Sequence, residues 1–346
     1  MASVDVVIPC YNYGRYLGEC VASVLCQEGV DLRVLIIDNA SKDDSLAIAQ
    51  SLAARDARIE VIAHAKNMGA TFSYNEGIDW AASDYLLILD ADDMLAPGAL
   101  ARATTVLDEN PRVSFTHGIE ARLEGNAGEF RLPPDPPGPT VVLRSGMDHV
   151  RDLCRTPVNS IGANTVVRRT AVQKKIGHYR AALPYTDDLE MWLRLATAGD
   201  VACIRTVQAV RRYHNDRHSV SYQAVQLRDF RERERAFESF FDHEGAAIAE
   251  AHALLAQARH GLGEHAYWSA LSHLARGHGR IGLGLLRLSH HWRPWAALLP
   301  PVQWLLRMDR PFDRGWTILG DALRLRRRPA HRSDEPSEGR RNQWAA

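Results

Sequence analysis

Four short apolar runs recur along the first part of the chain: VDVVIP (4–9), RVLIID (33–38), IEVIAH (59–64) and YLLILD (85–90). A segment that is apolar at successive positions has no face to turn toward water, so each run reads as a strand buried on both sides. Helical patterns lie between them. Tyr16/Leu17, Cys20/Val21 and Val24/Leu25 repeat at helical spacing, and SKDDSLAIAQSLA (41–53) opens with Ser41 as N-cap and Asp44 three residues on. TFSYNEGIDWAA (71–82) predicts a third helix, and Ala96-Pro97 the start of a fourth, with proline in its first turn. Buried strands alternating with helices predict an α/β fold with a mostly parallel sheet covered on both faces.

After about residue 110 the pattern changes. VSFTHGIEAR (113–122), GANTVVRR (162–169) and VQAVRRYH (207–214) read as strands, LPPDPPGP (132–139) as a surface loop, and DDLEMWLRLATAG (187–199) as a helix ending at Gly199. From about 221 the chain is helical in pattern and rich in Arg, Ala, Leu and His. This predicts a domain over 1–220, with halves at about 1–110 and 111–220, a helical region over 221–325, and a basic, disordered tail over 326–346. The RDFRERERAFE run (228–238) reads as a solvated amphipathic helix. GHGRIG (277–282) matches a dinucleotide-binding pattern, but a helical segment precedes it where a strand is required.

Composition narrows the function. With 42 Lys plus Arg against 42 Asp plus Glu, the formal charge is zero, which argues against a nucleic-acid partner. Five cysteines without a Cys-x-x-Cys pair fit a reduced, cytoplasmic setting. The N-terminus lacks the basic and apolar regions of a secretory leader, and no apolar run reaches the roughly 18 residues of a membrane span. IGLGLLRLSHHWRPWAALLPPVQWLLRM (281–308) has two readings. One is a helical hairpin packed on the 1–220 domain or forming a dimer. The other is peripheral contact with the inner face of the cell membrane, aided by the basic 324–332 segment.

The chemistry concentrates where the strands end. In open α/β sheets ligands bind beyond the carboxyl ends of strands, and Asp38, Asp90, Asp92 and Asp93 fall there. Clustered carboxylates repel one another unless a cation or ligand offsets them. Mg²⁺ and Mn²⁺ take oxygen ligands, commonly one or two carboxylates plus substrate phosphates. Taken alone, Asp-x-Asp fits an acidic helix-capping turn equally well.

The ordered set VVIPCYN, IIDNASKDDS, NMGA and LDADD resembles the family 2 inverting glycosyltransferases, over about residues 3–220. The resemblance implies the GT-A nucleotide-diphospho-sugar transferase fold, a Mn²⁺ or Mg²⁺ cofactor, a nucleotide-sugar donor and a glycan or lipid-linked acceptor, in cell-surface or extracellular polysaccharide synthesis. It implies that Pro9, Tyr11 and Asn12 line the nucleotide pocket, that Asp38 and Asn39 contact base or ribose, and that Asn67 and Gly69 shape a loop beside them. Asp90 and Ala91 would flank the ribose side, and Asp92 would hold the metal. YTDDLEMWLRL (185–195) resembles the family's acidic helix start, with Asp188 as general base and Asp187 beside it. RRYHNDRHSVS (211–221) resembles a segment with a metal-side histidine, assigned to His214, with His218 as competitor.

Two positions depart from the family's pattern. Asn39 stands where a second Asp is common, and an amide both donates and accepts, so a preference for uracil does not carry over. Tyr74 stands where an Arg often helps hold phosphate. The alternatives are a non-catalytic nucleotide-binding scaffold and a sugar-nucleotide pyrophosphorylase. The latter wants a glycine-rich basic loop after the first strand, where PCYNYGRY offers one Gly and one Arg.

Overall fold

The structure, a computed structural model, describes residues 1–124, 130–213, 226–294 and 301. These fall into two compact units. The first comprises the described residues of Met1–Asp152, Ile161–Ser221 and Arg235–Ala249; the second comprises those of Leu153–Ser160, Tyr222–Glu234 and Glu250–Ala346.

The first unit is built on a sheet of nine strands among the described residues. Its opening half is β1 (Ala2–Cys10), α1 (Gly14–Leu25), β2 (Val30–Asp38), α2 (Ser45–Ala53), β3 (Ile59–Ala63), α3 (Ala70–Trp80) and β4 (Tyr85–Ile88). These four strands pair in parallel in the order β3-β2-β1-β4. Val4, Val6, Ile8, Val34, Ile36 and Leu87 are fully buried, as apolar strands covered on both faces require. The one charge inside the first run, Asp5, accepts hydrogen bonds from the Ala82 and Ser83 N–H groups (2.6 and 2.8 Å) and from Ser83 Oγ (2.8 Å).

The sheet continues through β5 (Met94–Leu95), α4 (Ala99–Glu109), β6 (Val113–Glu124), β7 (Val141–Arg144), α5 (Gly146–Arg155), β8 (Val167–Arg169), α6 (Thr170–Ile176), α7 (Asp187–Ala198) and β9 (Asp200–Tyr213). β8 joins β4 and β6 antiparallel, β6 runs parallel to β9, and β5 and β7 each pair antiparallel with β9. The sheet is therefore mixed, parallel at one side. Trp192 of α7 is fully buried and stacks on Phe115 of β6, with ring centroids 5.9 Å apart.

Several local expectations shift. Ser41 does not cap α2, which begins at Ser45, because the Ser41 hydroxyl accepts the Asn12 N–H between the turns that follow β1 and β2 (3.0 Å). Pro97 precedes α4, since Gly98 takes a left-handed conformation (φ 70°) and delays the helix to Ala99. The 162–169 strand is reduced to Val167–Arg169 after a 3₁₀ turn at Ala163–Thr165, and β9 extends back to Asp200.

The second unit includes helical segments from α8 (Gln226–Asp242), α9 (Ala251–Ala275) and α10 (Gly279–Trp292). Phe230, Leu262, Ala266, Ala270 and Leu285 form its core cluster. GHGRIG sits at the α9–α10 junction, so a helix precedes it. No helix among the described residues is long and apolar enough to cross a membrane. Most of 293–308 and the basic 324–332 segment lie outside the described residues.

Helix α3 approaches β1 closely at Gly77, where an added Cβ would lie 2.4 Å from Val7 Cγ1. Val7 is fully buried and has nowhere to go. Gly77→Ala is therefore expected to cost about 1–3 kcal/mol in urea unfolding, whereas Gly18→Ala on α1, with nothing within 4 Å, should be neutral or stabilising. Equal midpoints for the two variants would contradict this packing.

Candidate active site

The site begins at the turns that follow β1 and β2, which are stitched together by side chains. Asn12 has φ 61°, a left-handed conformation that Asn tolerates better than most residues. Its Oδ1 accepts the Lys42 N–H (2.7 Å), while the Tyr13 and Gly14 N–H groups reach Ser45 Oγ and Asp43 Oδ2 (both 3.1 Å). Pro9 lies near the end of β1, and Tyr11 beyond it is 36% exposed. Asp38 closes β2 almost wholly buried. One carboxylate oxygen accepts the Ser41 N–H (3.1 Å), and the other, Oδ1, has no hydrogen-bond partner.

Asn39 ties this corner to the loop after β3. Its Oδ1 accepts the Met68 N–H (2.8 Å) and faces His64 Nδ1 (3.0 Å), while Nδ2 donates to Asn67 Oδ1 (3.1 Å). Asn67 Oδ1 also takes the Gly69 N–H (2.8 Å). The backbone donors fix both amide orientations, so Asn39 keeps one N–H for a ligand and its oxygen is engaged. His64 is held on its other side by Glu76 (2.8 Å). Gly69 itself needs its glycine, with φ 87°.

At the end of β4 the chain turns through Asp90, Ala91, Asp92 and Asp93, closed by an Asp93 N–H···O=C Asp90 bond of 3.0 Å. Asp93 is a structural anchor: its carboxylate accepts the Asn164 Nδ2 (2.7 Å) and the Arg212 N–H (3.0 Å). Arg212 also bonds the Asp92 carbonyl (3.2 Å), pairs with Glu19 and lies 4.6 Å above the Tyr16 ring. Burial, then Asp92, pushes the Asp90 carboxyl up to about 7, with the Arg211 charge opposing. The same causes, burial first, push Asp93 well above the usual carboxylate range. Arg211 sits 3.7 Å from Glu120.

The start of α7 supplies the opposite wall. Asp187 Oδ1 accepts the Asp188 N–H (3.1 Å), and burial followed by the Asp188 charge raises Asp187 well above its usual range. Burial raises Asp188 to about 6, with Arg168 and Arg211 pulling it down. Asp188 in turn acts on Asp90, and Asp90 on Asp187, so the helix start lies near the strand end. Glu190 does not belong to that space. It is fully buried against Arg194 (2.8 Å) and Arg180, and fixes α7 to the segment before it.

The sequence profile of glycosyl transferase family 2 matches residues 5–174. Residues 5–174 are a family 2 glycosyltransferase domain. An uncharacterized glycosyltransferase of Haemophilus influenzae is 25% identical over 232 residues, covering 64% of this chain and 69% of that protein. Other curated glycosyltransferases match over about a third to a half of their own length. Among solved structures, S. aureus TarS 1-349 in complex with UDP-GlcNAc superimposes with a TM-score of 0.54 at 15% identity, covering 86% of this chain and 92% of that one. The mannosyltransferase PcManGT of Pyrobaculum calidifontis, in complex with GDP-Man and Mn²⁺, gives 0.54 at 17% identity, over 92% and 84%. The fold is GT-A.

Within the glycosyltransferase domain and the strand and helix that follow it, the residues expected from sequence gather at one end of the sheet. His214 and His218 lie outside the described residues. Among the described residues no three His, Cys, Asp or Glu side chains converge as a closed metal cage would. Asp92 at the strand end would fit an open site, in which ligand oxygens complete the shell. Sequence reading missed Arg168, Arg211, Arg212 and Asn164. Their signal was present in ANTVVRR and VRRY, where charges sit inside otherwise apolar strands.

Since Asp93 carries two buried hydrogen bonds, Asp93→Ala is expected to lower stability by about 2–4 kcal/mol. Asp92→Ala removes a repelling charge and should cost clearly less in the same denaturation assay. A larger loss at Asp92 would reverse these two roles.

Proposed function

We propose that the protein is a metal-dependent inverting glycosyltransferase that moves a sugar from a nucleotide-sugar to a hydroxyl of a glycan or lipid-linked acceptor. The observation that carries this reading is the set of carboxylates at the carboxyl ends of the parallel strands, with the Asp187–Asp188 helix start near enough to act on Asp90 and be acted on by it. The nucleotide-sugars in the TarS and PcManGT complexes support a donor of that class on this fold.

Pro9, Tyr11 and Asn12 border the nucleoside, with Asn67 and Gly69 on its far side. The unpartnered Asp38 Oδ1 accepts a hydroxyl or N–H of the nucleoside, and Asn39 has a single N–H to offer it. Asp90 and Ala91 flank the ribose. Asp92, with the histidine at 214, would hold Mn²⁺ or Mg²⁺, which when bound neutralises charge on the departing diphosphate. Asp90 and Asp93 hold protons above the usual carboxylate range through burial first and the neighbouring Asp92 charge second, and a bound cation would offset both.

On the other wall Asp188 takes the acceptor's hydroxyl proton. The acceptor oxygen bonds to the anomeric carbon from the face opposite the diphosphate, whose bond to that carbon breaks. An Asp188 carboxyl raised by burial to about 6 suits a base that is ionised at neutral pH yet basic enough to accept a proton. Arg168 and Arg211 keep it from rising further.

The reading is tested with Asp188→Asn, which should retain nucleotide binding and lose transfer by about a hundredfold or more. The wild-type rate should fall as pH drops through about 6, because protonation removes the base. Transfer that persists in Asp188→Asn removes Asp188 from the mechanism.

A further inference from the structure

His64 directly follows β3, and the exposed residues 65–69 separate it from α3. Its side chain is only 10% exposed and bridges the two sides of that loop. Nδ1 lies 3.0 Å from Asn39 Oδ1 at the end of β2, and Nε2 lies 2.8 Å from the Glu76 carboxylate on α3. Phe72, also on α3, meets the ring edge-on with centroids 5.4 Å apart. Of the groups that meet the ring from these elements, Glu76 alone is ionisable.

Both ring nitrogens face acceptors. The Asn39 oxygen is identified by the Met68 N–H that donates to it (2.8 Å). Its amide nitrogen donates to Asn67 Oδ1 (3.1 Å), which takes the Gly69 N–H as well (2.8 Å). A flipped Asn39 amide would set N–H against N–H at Met68, so the assignment follows from the network. An ionised Glu76 offers oxygens alone. A neutral imidazole has one N–H and one lone pair, so it satisfies one of these partners and repels the other. The bridge closes only when the pair holds one more proton, and that proton sits on the imidazole, the stronger base of the two group types.

We propose that His64 and Glu76 are positioning residues, an imidazolium bridge that ties the nucleotide corner to α3. This rests on the nucleotide-sugar reading above. Asn39, Asn67 and Met68 bond to one another, and the bridge carries that cluster onto the helix that follows it. Loss of the proton leaves one of two lone-pair contacts. Nε2 against Glu76 frees the loop from α3, while Nδ1 against Asn39 pushes the amide off the Met68 N–H. Either outcome loosens the corner, so nucleotide affinity falls as the pH rises and the proton leaves.

Two measurements on the full chain test this. The first is NMR of the histidine ring nitrogens, with the His64 signals assigned by their loss in His64→Phe. Near neutral pH both nitrogens of His64 should carry protons. The second is calorimetry of UDP and GDP binding with Mg²⁺ from neutral to alkaline pH, in the wild type and in Glu76→Gln. The glutamine amide offers Nε2 a donor or an acceptor, so the variant's bridge needs no extra proton. Taking the ratio of the two affinities cancels the titration of Asp90, Asp188 and the phosphates. That wild-type-to-variant ratio should fall about three- to tenfold toward alkaline pH, the range of one hydrogen bond. A His64 ring with one bare nitrogen at neutral pH overturns the proposal, and so does a ratio that stays flat. Wild-type protein that binds neither nucleotide overturns the nucleotide-sugar reading and the positioning role with it, whereas the ring-nitrogen spectrum still reports whether the bridge exists.

Discussion

The carboxylates of Asp90, Asp92 and Asp93 share one turn at the end of a strand buried on both faces, where their mutual repulsion is poorly screened. Much of the first unit manages that repulsion. Asn164, entering β8, and the Arg212 backbone on β9 take up Asp93. Arg211, next along β9, offsets Asp90 and Asp93 from the side of Glu120. The protein neutralises the cluster only in part, and what is left is an acidic mouth in which burial and then Asp92 hold the Asp90 and Asp93 carboxyls above their usual range.

The sheet's topology explains why this mouth meets a second acidic wall. Parallel strands β1, β2 and β4 deliver their ends to the same side, and the antiparallel β8 then returns the chain across the sheet. Buried Trp192, stacked on Phe115, and Glu190, locked by Arg194, fix α7 against the sheet and bring its first turn near Asp90. Asp187 and Asp188 occupy that first turn. Packing thus divides the acids of α7: Glu190, ion-paired, holds the helix, while Asp187 and Asp188 lie at its start near Asp90.

The parallel half of the fold was legible because its signal is local. Apolar runs such as RVLIID and YLLILD have no other place to go, and their terminal aspartates mark the open end. The β9 strand was only half visible, because DVACIRT mixes polar and apolar residues and becomes a strand by pairing with β6 and β7. Ser41 misled for a related reason. Its helix-capping chemistry is genuine, but a neighbouring turn used it first. Within the site, single strand-end residues were readable, whereas the fixed orientation of Asn39 and the burial of Arg168 depend on partners distant in sequence.

The central claim, that the acidic mouth binds a cation together with a diphosphate, is tested most directly by thermal unfolding with UDP or GDP, each with and without Mn²⁺. A ligand that binds the native state raises the melting temperature by mass action. The account predicts a rise for at least one nucleotide that requires Mn²⁺ and disappears in Asp92→Ala. No rise with either nucleotide, or a rise indifferent to both Mn²⁺ and Asp92, would contradict it.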